Sequence, residues 1–227
     1  MFEFRFYELW RSPEYIQALL NGCLTSVVLS VIGGLLGFAM GLALALAQGS
    51  SSNLLFRYIA VSYIEFIRNT PFIVQLFFVA FGLPLLLGYQ WSFEASALLA
   101  MTLNFSAYFA EVIRAGIEAV PGGQVEAAQS LSLTKRESLY DVILPQALAR
   151  VYPSLASQFI FLFLTTGLIS EIGVRDLTWA GRFVADRTFR DFEVFIVLTI
   201  LYILMAFMFL SILGLMKRWA FPWWGAK

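Results

Sequence analysis

Phe192–Met216 reads FEVFIVLTILYILMAFMFLSILGLM, a nearly unbroken apolar run, and its length decides what solvent the fold is built for. An α-helix needs about 20 apolar residues to cross a hydrocarbon core of about 30 Å. Working back toward the N-terminus, comparable runs lie at about Val151–Ile172, Ala95–Ile113, Ile59–Leu87 and Leu19–Ala47. Lipid offers the backbone no hydrogen bonds, so a spanning segment must satisfy its own, and only helices and closed barrels do so. The alternating ten-residue pattern of barrel strands is absent from the sequence. The expected fold is therefore all-α, a polytopic membrane protein of about five transmembrane helices.

Composition agrees. Apolar residues make up 60% of the 227 and charged residues only 13%, with a mean hydropathy of +0.79. Soluble domains run at roughly 45–50% apolar and about 25% charged. The sequence holds no histidine, which removes imidazole acid–base chemistry, His triads and His metal sites. The single Cys23 lies in an apolar run and reads as a small helix hydrophobe. Zero formal net charge gives no reason to expect a nucleic-acid partner. Residues 1–18 mix charges with aromatics and do not read as a cleavable leader; a short helix in the membrane interface is expected there. Residues 19–216 then form the membrane domain, and 217–227 a tail.

Lys and Arg set the orientation. With five spans, one side collects nine: Arg57, Arg68, Arg114, Lys135, Arg136, Arg150, Lys217, Arg218 and Lys227. The other collects six: Arg5, Arg11, Arg175, Arg182, Arg187 and Arg190. The bias predicts an external N-terminus and a cytoplasmic C-terminus, with Trp219, Trp223 and Trp224 as aromatic anchors at the inner interface. In the first span, Gly33, Gly37 and Gly41 recur at four-residue steps with Gly34 beside them. That spacing lines one helix face with glycine, where another helix can approach closely.

The largest polar interruption is Ala115–Arg150, AGIEAVPGGQVEAAQSLSLTKRESLYDVILPQALAR. Pro121-Gly122-Gly123 is a turn, and Gln124–Leu131 favours a short helix. Thr134 with Glu137 three residues on is a capping box, so a second helix starts there; Pro145 is expected to end or kink it. Two short helices over about 121–145 make a cytoplasmic helical elbow, with an ordinary amphipathic loop as the competing reading.

Glu126-Ala127-Ala128 with Leu131, followed by Ile143-Leu144-Pro145, resembles the EAA signature of permease subunits in bacterial binding-protein-dependent ABC importers. Arg68-Asn69-Thr70-Pro71 with Gln75-Leu76, and Ser106-Ala107-Tyr108 with Glu111 and Arg114–Ile117, resemble the polar amino-acid branch of that family. The resemblance covers roughly Leu19–Met216. It implies the type I ABC importer permease fold and a location in the bacterial inner membrane. It also implies an amino-acid substrate and a complex with a second permease, a cytoplasmic ATPase dimer and an extracytoplasmic amino-acid-binding protein. No GxxxxGK[ST] phosphate loop occurs, so the chain is expected not to be an enzyme; it should carry no cofactor, with ATP and Mg on the partner ATPase. An ATP-independent secondary transporter or channel is the alternative.

Within that resemblance Glu126, Ala127, Ala128, Leu131 and Ser132 are the ATPase-coupling residues. Ala127 and Ala128 are small so that the contact face can come close, and Leu131 is an apolar plug unless it packs on its own helices. Ser132 stands where the family usually has Gly, and Leu164–Leu168 reads LTTGL where it often has Lys-Asp-Thr-Ser-Leu. These departures favour a different chain as the permease partner over a second copy. Polar groups at membrane depth are pathway candidates: Asn104, Thr165, Thr166, Ser170 and Glu171. Competing readings pair Glu171 with Arg175 one turn on, and Arg68 with Glu65. Trp179, Arg182, Asp186, Arg187, Phe189 and Arg190 form an outer loop suited to a binding protein.

Overall fold

The computed structural model describes residues 4–49 and 54–224. These form helices α1 (Tyr7–Trp10), α2 (Pro13–Gln48), α3 (Leu54–Arg68), α4 (Phe72–Leu87) and α5 (Phe93–Glu118), followed by α6 (Gly122–Ser130), α7 (Lys135–Ile172), α8 (Leu177–Thr188) and α9 (Asp191–Ala220). By length and composition α2, α5, α7 and α9 can each cross a membrane, and α3 with α4 pass the same test only when taken together as one bent span.

Three expectations need correction. The second span is not one helix: it breaks at Asn69–Pro71, between α3 and α4. Pro71 has no N–H and disfavours helical geometry at Thr70; it sits instead at φ −59°, ψ 136° as the N-cap of α4. The Asn69 carboxamide donates to the Glu65 carbonyl at 2.7 Å and closes the end of α3. Pro145 does not end its helix. The chain from Lys135 runs through it into the fourth span, because a π turn at Ser138–Ile143 shifts the hydrogen-bond register just before the proline. Finally, the long first helix already starts at Pro13, so the short helix of the N-terminal segment is only Tyr7–Trp10. Residues 1–3 of that segment, and Lys227, lie outside the described residues.

The described residues fall into two compact units. The first draws on Met1–Leu35, Thr70–Thr102 and Phe159–Leu210. Its core joins Leu9, Leu19, Phe163, Leu177, Ala180, Val184, Val194, Leu198 and Phe209. The Phe163 and Phe209 rings meet at 5.0 Å between centroids, a contact worth about 0.5–1.5 kcal/mol beyond area burial. Ser26, fully buried on α2, accepts the backbone N–H of Leu177 at 3.2 Å and so ties α2 to the start of α8.

The second unit draws on Leu36–Asn69, Leu103–Gln158 and Ser211–Lys227. Tyr63 on α3 holds α5 through the Leu103 carbonyl at 2.8 Å and the Ser106 hydroxyl at 2.9 Å. Tyr152 on α7 donates to the Leu213 carbonyl of α9 at 2.8 Å.

The glycine face of α2 is used inside the chain. Gly33, Gly34, Gly37 and Gly41 are all buried. A methyl on Gly41 would stand 2.8 Å from both the Ser106 carbonyl oxygen and Phe109 Cβ of α5, whereas one on Gly33 would meet Met101 and Leu98 at an ordinary 3.6 Å.

Candidate functional site

The elbow is built from its cap outward. Thr134 Oγ1 accepts the Glu137 N–H at 3.3 Å, and Glu137 Oε2 accepts the Thr134 N–H at 2.8 Å, completing the expected capping box. Each satisfied cap donor contributes on the order of 1 kcal/mol. The other end is held to its own chain. Gly116 lets α5 pack closely on α7, since a methyl there would stand 2.8 Å from Val151 and 3.0 Å from the Ala147 carbonyl oxygen; Arg150 donates to the Ala119 carbonyl, and Gln146 donates to the Gln124 side chain at 3.3 Å. A compact elbow rather than a loose loop results.

Helix α6 presents Glu126 and Ala127 to the exterior, and Ala128 is buried at 2% exposure. The EAA triplet is thus split: Ala128 is small for packing against its own chain, which removes it from the outward contact face. Leu131 is 75% exposed, which excludes the reading in which it packs on its own helices. It projects because the turn after α6 closes tightly, with Ser132 N–H on the Gln129 carbonyl at 2.9 Å and Leu133 N–H on the Ala128 carbonyl at 3.1 Å.

The turn requires φ +57° at Ser132. A left-handed conformation costs a residue with a Cβ roughly 1–2 kcal/mol, which explains why glycine suits this position. Glycine's extra freedom in the unfolded chain takes back roughly 0.5–1 kcal/mol. Ser132→Gly is therefore expected to stabilise the chain by about 0.5–1 kcal/mol, read as a rise in thermal midpoint in detergent.

A second polar cluster lies where α2, α3 and α5 meet in the same unit. Glu111 accepts Arg114 Nε at 3.2 Å and Nη2 at 3.1 Å, and Gln48 Nε2 at 3.3 Å. It pairs with Arg68 at 3.5 Å. Arg68 therefore reaches Glu111 on α5, while Glu65 is taken by Asn69, so the expected Arg68–Glu65 pair is replaced. Arg68 also lies over the Tyr108 ring at 5.9 Å. The family-like residues of α3 and α5 are thus one cluster, holding three helix ends.

The pathway candidates divide. Asn104 is buried at 3% exposure on α5. Thr165, Thr166 and Ser170 are buried too, but their hydroxyls are spent on backbone carbonyls of Phe161, Phe163 and Gly167 at 2.7, 2.7 and 3.0 Å. Glu171 is exposed and pairs with Arg182 of α8. The Glu171–Arg175 pair does not form, because α7 ends at Ile172 and Gly173 takes φ +92°, ending the one-turn spacing. Arg175 instead lies 5.2 Å over the Trp179 ring.

Sequence reading missed Asp176, which is fully buried. Its Oδ1 accepts the Trp179 N–H at 2.8 Å as the N-cap of α8; Oδ2 is buried with no hydrogen-bond partner among the described residues. An Asp just before a helix-compatible run is a recognisable cap signal, but nothing local announces its burial. Burial pushes its carboxyl up from 3.8 to about 6. A raised carboxyl favours the folded state below pH 4 and loses that contribution as pH climbs through 6. Asp176→Asn keeps the cap, so its thermal midpoint should gain on wild type between pH 4 and 6 and hold the gain above. Asp176→Ala should show the same pH dependence but lie below Asp176→Asn throughout, by on the order of 1 kcal/mol for the lost cap.

The family described as "Binding-protein-dependent transport system inner membrane component" matches residues 33–221. A putative glutamine transport system permease protein, GlnP, of Rickettsia bellii is 34% identical over 74% of this chain and 77% of its own length. A probable amino-acid ABC transporter permease protein, PatM, of Vibrio harveyi is 37% identical, over 62% of this chain and 64% of its own length. A crystal structure of an amino acid ABC transporter with histidines superposes with a TM-score of 0.85 at 34% identity, over 96% of this chain and 99% of that one. The inward-facing MetNI methionine ABC transporter, at 17% identity and a TM-score of 0.78, shares the fold, with 92% of this chain and 99% of that one covered. The expected all-α importer permease fold is the one found, and the ATP-independent alternative loses its footing. This chain belongs to the family of inner-membrane components of binding-protein-dependent transport systems.

Proposed function

We propose that the chain forms half of the translocation pathway of an ATP-driven amino-acid importer. It works beside a second permease, a cytoplasmic ATPase dimer that carries ATP and Mg, and an external amino-acid-binding protein. The carrying observation is the elbow: α6, tied to α7 by Gln146 on Gln124 and closed by the tight turn at Ser132, leads into the capped start of α7 and leaves Glu126, Ala127 and Leu131 facing outward. A helix so fixed transmits displacement that a loose loop would absorb, so closure of the ATPase dimer would rock the permease and alternate access to a central site. Glu126 is assigned to a basic group on the ATPase, Leu131 to an apolar cleft, and Ser132 to the turn that presents it.

The N-terminus is placed outside and the C-terminus in the cytoplasm, following the Lys and Arg bias. Asn104 and Glu171 are assigned toward the substrate, with Arg182 balancing the carboxylate. The amino-acid class is carried over from the relatives' names, and the departure at Leu164–Leu168 supports a different chain as permease partner. There Gly167 leaves room for the Thr178 and Tyr202 hydroxyls, which a methyl on it would meet at 3.0 and 3.4 Å. Solubilising native membranes in mild detergent and purifying through this chain tests the assembly. Co-elution with an ATPase and a second permease is expected; a free chain that supports uptake by itself would refute it.

A further inference from the structure

A cleft of about 530 Å³ opens beside the elbow, within the second unit. Gln124 of α6, Asp141 and Gln146 of α7, and Trp223 and Trp224 of the tail line it. The indoles stand perpendicular, 5.7 Å apart at 86°. Trp223 is 51% exposed, and Asp141, itself exposed, is the only charged group in the lining among the described residues. The tail is held there because Phe221 packs edge-on against Tyr152 at 5.8 Å and Trp224 lies 6.0 Å from the Arg150 guanidinium. Of the three tryptophans expected as interface anchors, Trp224 is therefore engaged by its own chain, and only Trp219 and Trp223 stand exposed.

A carboxylate, two carboxamides and two indole rings around one opening match a planar guanidinium. Arginine forks onto a carboxylate with two parallel bonds and stacks on aromatic faces, which an ammonium does less well. The chain already uses this chemistry at the cleft wall, where Arg150 meets Trp224. We propose that the cleft receives an arginine side chain of the ATPase subunit, giving that subunit a second foothold next to α6. This rests on the reading that α6 docks on the ATPase. Two separated contacts would fix the angle of the elbow on its partner, where a single helix contact would let it pivot.

The test uses the purified complex in nanodiscs, with ATPase affinity measured by titrating the ATPase back onto stripped permease across a salt series. Asp141→Arg should weaken binding at least about tenfold, Asp141→Asn by a smaller factor with a flatter salt dependence, and Trp223→Ala measurably; Asp141→Glu should restore most of the affinity. Asp141 and Trp223 are exposed, and thermal unfolding of each variant checks that the permease is intact. Wild-type affinity in Asp141→Arg and Trp223→Ala, with Ala127→Arg still releasing the ATPase, would overturn the cleft and leave the elbow standing. So would a Trp223→Ala variant that loses only thermal stability, which would make this ring a membrane anchor. Retention of the ATPase by Ala127→Arg together with normal ATP-driven uptake would instead bring down the elbow reading on which the cleft depends.

Discussion

Ala127→Arg is expected to cut ATP-driven uptake at least about tenfold while the permease still inserts and unfolds at its usual temperature. Ala127 is exposed on α6, so its side chain supports nothing inside the chain. On an interface that must close over the helix, the same substitution forces a long cation into a desolvated contact with no partner. An unpaired charge at such a contact costs roughly 2–5 kcal/mol, enough to release the ATPase or uncouple it. The neighbouring Ala128 makes the control. It is 2% exposed, so Ala128→Arg should fail by misfolding, with lost thermal stability. Normal uptake by Ala127→Arg would show that α6 is not the docking element.

The second large effect separates two glycines of one helix face. Gly41→Ala places a methyl 2.8 Å from the Ser106 carbonyl and Phe109 Cβ, both on the backbone frame of α5 and unable to swing aside. Forcing α2 and α5 apart is expected to cost about 1–3 kcal/mol, because membrane helices gain their association from close packing rather than from a hydrophobic drive. Gly33→Ala meets only ordinary contacts at 3.6 Å, and alanine is the better helix former by about 1 kcal/mol. It should be neutral or slightly stabilising. Thermal unfolding of the two variants in the same detergent decides the point. Equal gains at both positions would mean that helix propensity and not close approach governs this face.

How much of this was legible depended on range. Span number and helical class follow from apolar length, since lipid leaves few alternatives. The break at Asn69–Pro71 was hidden because a hydropathy average passes over a single proline when both flanks are greasy. Cap chemistry is local, so Thr134 and Glu137 could be paired in advance. The fate of Pro145 could not, because no local pattern announces the π turn at Ser138–Ile143, a segment that packs against α6. Ser132 stood out only against the family's glycine, and the positive φ supplies the reason. Partners chosen by spacing failed wherever the helix stopped early: Glu171 lost Arg175 to the turn at Gly173 and found Arg182 eleven residues on. Ala128 could not be told from Ala127, because both are small and α6 has no apolar stripe to orient it.

On the proposed function, ATP hydrolysed on another subunit drives this membrane chain. Uptake of radiolabelled amino acids into proteoliposomes holding the purified complex, with binding protein outside and nucleotide trapped inside, tests it most directly. Accumulation should occur with trapped ATP and vanish with a non-hydrolysable analogue or without the binding protein. Accumulation driven by an ion gradient alone, with no nucleotide present, would contradict it.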